Sequence, residues 1–558
     1  MKHSYYKLIT VVMSLVILVL PASCGKNQEA GEITSADSAS ISEAAGGSAE
    51  KSGFEKFKGV TLSYWLPFSS TLIKSLDENI VYQEMEKKTG IKIEFINPPV
   101  GQETDNFNLL VSSGDLPDII YDQGYKGGGN KAIEDNVYIK LNDKLEEYAP
   151  NYLKVMDLNP EIARQCKEDD GTIWSFQCIQ LDREPAYIGP AIRQDYLDKV
   201  GLKMPETVDD WTNVLTAFRD ELKLESPIVF PIDACFDNSG VLSGTYGAST
   251  NFLNKDGKVV YGPIEPGFKD FLSTMNKWYK DGLLDRDFAT RDSKSLEAQI
   301  TSGKTGGNFA ALYGAFSVYQ SAGKATDPQF NIVAAPYPVL NPGDDPSKTL
   351  HIRQKNEYVR TGDRAISTHC KNVEAAMRWL DYGYTDEGYM LFNYGIEGTT
   401  YTWEDGETEK KGGPTFFPPS MSERIKKQHP QFTDLLIKNP DDIDFWTLID
   451  KYKVHYTSCL RNPMSYYNED NVYEAMDIWS RPGDDYIMPA VSLTDSENKA
   501  MADILNKVDT YRKEMMAKFI IGEEPISNFE KYAAQIKELG IEDAIKIQQD
   551  ALERYKNR

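Results

Sequence analysis

Between Val60 and Tyr121 the chain alternates short apolar runs with helical segments, and this order restricts the fold more than any other feature of the sequence. VTLSYW (Val60 to Trp65) reads as a strand, and a helix through VYQEMEKK follows, closed by Gly90 as a C-terminal cap. IKIEF places Ile91, Ile93 and Phe95 on one face of a second strand. A second helix lies near Phe107 to Val111, and the apolar run of LPDIIY supplies a third strand. Strands separated by helices pair in parallel, so the β-α-β-α-β order predicts an α/β fold with a doubly wound sheet. Ligands of such sheets gather beyond the C-terminal strand ends, here near Trp65 and near Tyr121 and Asp122.

The N-terminus sets the expected compartment. Lys2 and Lys7 flank the start of LITVVMSLVILVL (Leu8 to Leu20), whose only polar residues are Thr10 and Ser14. That run is shorter than the roughly 20 apolar residues of a spanning helix and leads into Ala22, Ser23 and Cys24, as a signal peptide does. Small residues followed at once by Cys resemble a bacterial lipobox, although Pro21 stands where an aliphatic residue is usual. The expectation is cleavage after residue 23 and lipidation of Cys24 at the outer face of the bacterial cytoplasmic membrane. Residues 26–53 are rich in Ser, Ala, Gly and Glu and cannot bury enough surface to offset their ordering entropy, so they read as a tether.

Loss of Lys2 and Lys7 lowers the basic count from 61 to 59 against 85 acids, which shifts the formal charge from -24 to -26. A body this acidic argues against nucleic acid as a partner. The 535 residues after residue 23 exceed what one core supports, so two or more lobes are expected. Cys166, Cys178, Cys235, Cys370 and Cys459 form an odd, scattered set, which reads as buried free thiols; a turn at Asp170-Gly171 would pair position 166 with 175, not with Cys178.

Amphipathic stripes fill the later chain. Thr207 with Asp210 fits a capping box ahead of Trp211, Val214, Leu215, Phe218 and Leu222. Thr385 can cap the helix DEGYMLFNY. Met501, Ile504, Leu505, Val508, Tyr511, Met515 and Phe519 mark a long helix, and Ser527 with Glu530 opens another that ends at Gly540. Trp174, Trp211, Trp278 and Trp379 sit within such patterns and read as core.

Several motif matches fail on their chemistry. Gly127, Gly129 and Ala132 fit GxGxxA only by chance-level identity. Gly303-Lys304-Thr305 would need a glycine at 298, which is Ala298. Asn254, Asp256 and Gly257 resemble a calcium loop whose first and last positions would be Phe252 and Pro263, neither with a side-chain oxygen; a hairpin turn fits better. No HExxH or GxSxG occurs, and neither metal nor cofactor is expected. Paired carboxylates for glycoside hydrolysis are not visible in sequence, so a secreted glycan-active hydrolase stays as a competing reading, with a surface glycan-binding sensor accessory as a third.

SGDLPDII (Ser112 to Ile119), DDGTIWSF (Asp169 to Phe176), IRQDYLDKVGLKMPETVDDW (Ile192 to Trp211) and YKDGLLDRDFAT (Tyr279 to Thr290) resemble family 1 extracellular solute-binding proteins of ABC importers. KAIEDNVYIKLNDKLEEYAPNY (Lys131 to Tyr152), AMRWLDYGYTDEGYMLFNYGIEGTTY (Ala376 to Tyr401) and the closing FIIGEEPISNFEKY add to the likeness, which follows the long lipoprotein subgroup in order from 54 to 558. The resemblance implies a two-lobed, type II periplasmic-binding-protein-like fold, each lobe a mainly parallel sheet flanked by helices, with added C-terminal helices. The expected lobes are 54–177 plus 332–400, and 178–331 plus 401–558. A solute, in this subgroup an oligosaccharide, would be trapped between them by a non-enzymatic monomer and passed to permease subunits. Strand ends nominate Trp65 and Tyr121 as ligand contacts. Family-like loops nominate Arg193, Tyr313, Phe316, Glu397, Tyr401 and Trp403. Aromatic faces and planar polar groups are what sugar C–H faces and hydroxyls require.

Overall fold

The computed structural model describes residues 51–68, 74–179, 188–229, 240–312, 315–349, 358–385, 470–479 and 486–558, with short pieces at 387–388, 391–392, 396, 402–405 and 435–438. Eleven strands form the parts that matter here: β1 (Thr61–Trp65), β2 (Lys92–Ile96), β3 (Ile119–Tyr121), β4 (Ser175–Ile179), β5 (Ile188–Arg193), β6 (Ile228–Val229), β7 (Phe252–Lys255), β8 (Lys258–Tyr261), β9 (Gly307–Leu312), β10 (Ile332–Ala334) and β11 (Val359–Ile366). They make a five-stranded sheet in the order β2-β1-β3-β11-β4 and a four-stranded sheet in the order β10-β5-β9-β6, with β7 and β8 as a separate hairpin.

The βαβ reading of the opening segment holds: β1 pairs in parallel with both β2 and β3. The helix Ile80–Thr89 between the first two strands ends at Gly90 in the left-handed region (φ 70°), as its position after VYQEMEKK predicts. Each sheet is mainly parallel with one strand reversed, β11 in the first and β5 in the second. β11 runs antiparallel to β3 and β4, and β5 runs antiparallel to β9 and β10; β6 and β9 pair in parallel in the second sheet. The cause lies in the crossings between lobes. β4 leaves the first sheet at its C-terminal edge, so β5 enters the second sheet from that side and must run against β9. β10 returns toward the junction, and β11 enters the first sheet at the same edge, against β3.

The pairings also move the expected boundaries. Cys178 and Ile179 pair with Arg360 and Val359 in the first sheet, two residues past the expected break. Ile332 to Ala334, expected in the first lobe, pair with Arg193 to Ala191 in the second sheet.

Each sheet carries its own core. The first packs Leu62, Tyr64, Ile93, Ile119, Phe176, Trp379 and Tyr384 on one face, and Trp65, Phe107, Ile120, Tyr138, Trp174 and Ala365 on the other. The second gathers Trp211, Phe218, Phe268, Trp278, Phe309, Phe316 and Trp479 together with the C-terminal helices Asp495–Ile521, Phe529–Glu538 and Ile541–Lys556. Trp211 and Trp278 are fully buried. Enclosing a Trp removes roughly 200 Å² from water, worth about 5 kcal/mol before entropy.

Local signals explain the helix boundaries. Thr207 and Asp210 form the expected reciprocal capping box, with Asp210 N–H donating to Thr207 Oγ1 at 3.0 Å. Thr385 Oγ1 accepts from Gly388 N–H at 2.9 Å. The expected cap at Ser527 is not formed: a 3-10 turn over Ile526–Asn528 precedes the helix, which starts at Phe529. In the long helix Asp495–Ile521, Met501, Val508 and Phe519 are buried as expected, but Met516, Ile520 and the charged Arg512 join them. Asn254 Oδ1 accepts from Gly257 N–H at 2.6 Å, which makes the former calcium-like stretch the turn of the β7–β8 hairpin. Cys166, Cys178 and Cys370 are buried free thiols, and Cys235 and Cys459 lie outside the described residues.

Candidate functional site

The C-terminal ends of β1, β2 and β3 carry Trp65, Ile96 and Tyr121, and beyond them β4 and β11 project to the paired residues Ile179 and Val359. In the second sheet the matching end is Ile188 of β5 paired with Leu312 of β9. The chain crosses between the sheets after Ile179, so these ends mark the junction of the lobes.

At the strand ends of the first sheet, Tyr121 is half-buried and lies over the Arg364 guanidinium, 5.6 Å from ring centroid to cation. Burial pushes its phenol pKa up, with Arg364 opposing. Asp122, the next residue, anchors a turn: Oδ2 accepts from Gly124 N–H at 2.8 Å, and Oδ1 accepts from the Tyr138 hydroxyl at 2.7 Å. Its carboxyl pKa is raised by burial despite those bonds. Asp363 lies beside it across the ladder, where Asp122 N–H donates to the Asp363 carbonyl at 2.8 Å. Burial first, and the charge of Asp122 second, push the Asp363 carboxyl up to about 8.

Aromatic rings extend this polar set. Tyr138 stacks on Trp174 with centroids 5.5 Å apart and planes within 3°. Tyr125 meets Tyr138 edge-on at 6.0 Å. The Trp174 indole N–H donates to Glu168 at 2.9 Å. A side chain at Gly129 would put its Cβ 2.0 Å from the Trp174 indole nitrogen, so glycine is required for the helix Gly128–Glu134 to approach the ring. Tyr138 and Trp174 are 1% and 9% exposed, so their stack is core that backs the strand ends; the rings left partly exposed there are Tyr121 and Tyr125, beside the Asp122 and Asp363 carboxylates.

The residues nominated from sequence fare differently. Tyr121 stands at the strand end, adjoining Asp122. Trp65 is 2% exposed and packs against Phe107 at 5.8 Å, a core position beneath the helix Glu103–Ser113. Arg193 is 1% exposed, at the end of β5 remote from Ile188 and Leu312, and is therefore not at the cleft edge. Its guanidinium binds Asp195 at 2.7 and 2.8 Å and Asp327 at 3.2 Å, held between the Tyr196 and Phe330 rings at 3.9 and 4.0 Å. Phe316 is fully buried against Trp479, with centroids 5.7 Å apart, and anchors its helix. Tyr313, Glu397, Tyr401 and Cys24 lie outside the described residues. Trp403 belongs to a strand, Thr402–Asp405, paired antiparallel with Leu435–Lys438, and its side chain is also outside them.

Sequence reasoning missed Tyr125 and Asp363, while its reading of Trp174 as core agrees with the burial of that ring. The Gly127-Gly128-Gly129 run was the available signal, since consecutive glycines mark close backbone approach. No described helix is long and apolar enough to cross a membrane.

Known proteins share this architecture. The sequence pattern of the family described as bacterial extracellular solute-binding protein matches residues 69–390. A fructooligosaccharide ABC transporter substrate-binding protein of Streptococcus pneumoniae is 24% identical over 529 residues, 89% of this chain and 90% of that one. The crystal structure of the S. pneumoniae ABC-transporter substrate-binding protein FusA with kestose superposes with a TM-score of 0.63 at 20% identity, covering 89% and 99% of the two chains. An HMO-binding, ABC-transporter-associated solute-binding protein of Bifidobacterium longum infantis gives a TM-score of 0.69 at 17% identity with the same coverage.

Proposed function

The chain belongs to the bacterial extracellular solute-binding proteins, and from that premise we propose that it captures an oligosaccharide between its two lobes and delivers it to the permease subunits of an ABC importer. The observation that carries the reading is the pair of partly exposed rings, Tyr121 and Tyr125, beside the Asp122 and Asp363 carboxylates at the strand ends of the first sheet. Ring faces cover the C–H faces of a pyranose or furanose, and carboxylates accept from its hydroxyls. The buried Tyr138–Trp174 stack packs behind these groups. The sugar-binding relatives support the ligand class.

Capture by two lobes needs no covalent chemistry. A sugar first held at the first-lobe strand ends gains contacts from the second lobe only when the two meet, so binding shifts the population toward the closed form. The permease then reads closure rather than the free sugar. In this reading the protein is not an enzyme and acts as a monomer. Residues 1–23 direct export, Cys24 carries a lipid, and residues 26–53 let the body range over the membrane surface.

Titration of the purified chain with short neutral oligosaccharides, followed by tryptophan fluorescence, tests this directly. Tyr121→Ala should weaken the best binder by tenfold or more, since about 1.4 kcal/mol of stacking is one decade in affinity. Failure of every glycan to bind, or binding indifferent to both Tyr121→Ala and Asp122→Asn, overturns it.

A further inference from the structure

The C-terminal helix Ile541–Lys556 packs in the core of the second lobe through Ile541, Ala544 and Leu552, yet its last turn reaches the first lobe. Arg554 Nε donates to Asp169 Oδ2 at 2.8 Å, and Arg558 Nε donates to Asp169 Oδ1 at 2.7 Å. Tyr555 adds a hydroxyl hydrogen bond to Glu161. Asp169 and Glu161 both lie between Pro160 and Ser175, in the segment leading into β4, whose neighbours Ile162, Cys166 and Ile173 belong to the first-lobe core.

Both arginines are also fixed from their own side. Arg554 pairs with Glu497 at 2.6 and 2.9 Å and donates to the Ser492 carbonyl at 3.2 Å; Arg558 donates to Ser492 Oγ at 2.7 Å. Arg558 is 2% exposed and Asp169 24%, so solvent screens these bonds less than an open surface pair. A second contact lies nearby: Gly127 (φ 96°) of the first lobe sits so close to the Asp495 carboxylate that a Cβ would be 2.3 Å away. Asp495 opens the helix whose capping box uses Thr494 and Glu497, the partner of Arg554.

We propose that Arg554, Tyr555 and Arg558 form an interlobe clasp on Glu161 and Asp169 that sets the resting angle between the lobes. Asp169 adjoins Glu168, which accepts from Trp174, so the clasp joins the buried ring stack behind the strand ends through one peptide step. Movement of one lobe against the other must break or re-form charged hydrogen bonds here, and the clasp therefore biases the equilibrium on which capture depends. That consequence for capture rests on the function proposed above; the clasp itself is tested on the ligand-free chain, separately from it.

Small-angle X-ray scattering of the ligand-free protein reads the resting angle. Raising salt from 0.1 to 1 M shortens the screening length from about 10 to about 3 Å and should shift the pair-distance distribution of the wild type. Asp169→Asn should show the shifted distribution already at 0.1 M and lose most of the salt response. Lys277→Gln, which removes an exposed pair with Asp281 inside one lobe, should behave as wild type. An Asp169→Asn distribution and salt response equal to wild type overturn the clasp. If Asp169→Asn does not fold, the wild-type response decides: its absence refutes the proposal and its presence supports it.

Discussion

Replacement of Arg193 separates a structural cation from a ligand-binding one. The guanidinium is 1% exposed and forms a two-point bond to Asp195, itself 10% exposed, at 2.7 and 2.8 Å. Breaking a buried pair from one side costs about 3–5 kcal/mol, because the other charge is left behind. The third bond, to Asp327, adds little since that carboxylate is 41% exposed. Loss of the flanking Tyr196 and Phe330 faces adds about 1 kcal/mol, but these terms share one side chain and do not sum. Arg193→Ala should therefore destabilise the second lobe by about 4 kcal/mol, a fall of roughly 8–16 °C in its thermal transition. Calorimetric melting measures it. Arg193→Lys should recover only part of the loss, because an ammonium cannot reproduce the planar fork. Oligosaccharide affinity below the transition should stay within about twofold of wild type. A variant that melts within about 2 °C of wild type but loses tenfold in affinity refutes this reasoning and returns Arg193 to the ligand.

Gly129→Ala forces a Cβ to 2.0 Å from the Trp174 indole, so it should disturb the buried Tyr138–Trp174 stack behind the strand ends, change tryptophan emission and weaken sugar binding; unchanged emission and affinity would contradict this packing. Asp363 and Asp381 have folded pKa values of about 8 and about 6, both raised chiefly by burial above the ordinary Asp value near 3.9. The folded state thus binds more protons between about pH 4 and 8, and stability falls as pH rises through that window. Asp363→Asn should flatten the upper part of the decline in urea midpoints, and a steeper decline would contradict the assignment. Cys166, Cys178 and Cys370 should resist thiol reagents until the protein unfolds, and fast native labelling at any of the three would contradict their burial.

The legible parts of the fold were those fixed by neighbours in sequence. Period-two strands, a glycine cap and helical crossovers between Val60 and Tyr121 give β1 to β3 and their parallel pairing. The reversed strands β5 and β11 were not legible, because their direction follows from where the chain crosses between lobes, a property of the assembled body. The site divides in the same way. Tyr121 and Asp122 follow from strand-end logic, but Tyr138 and Trp174 are 36 residues apart and face each other only once the helix at Gly128–Glu134 packs down. Arg193 misled because a charged residue in a family-like loop looks the same in sequence whether it faces a ligand or a largely buried ion pair with Asp195.

Isothermal titration calorimetry against a panel of short glycans, with product analysis of the same mixtures, tests the central claim most directly. The account predicts saturable one-to-one binding of at least one oligosaccharide, with every glycan recovered intact. Turnover of the bound glycan, or no heat of binding with any of the panel, would contradict it.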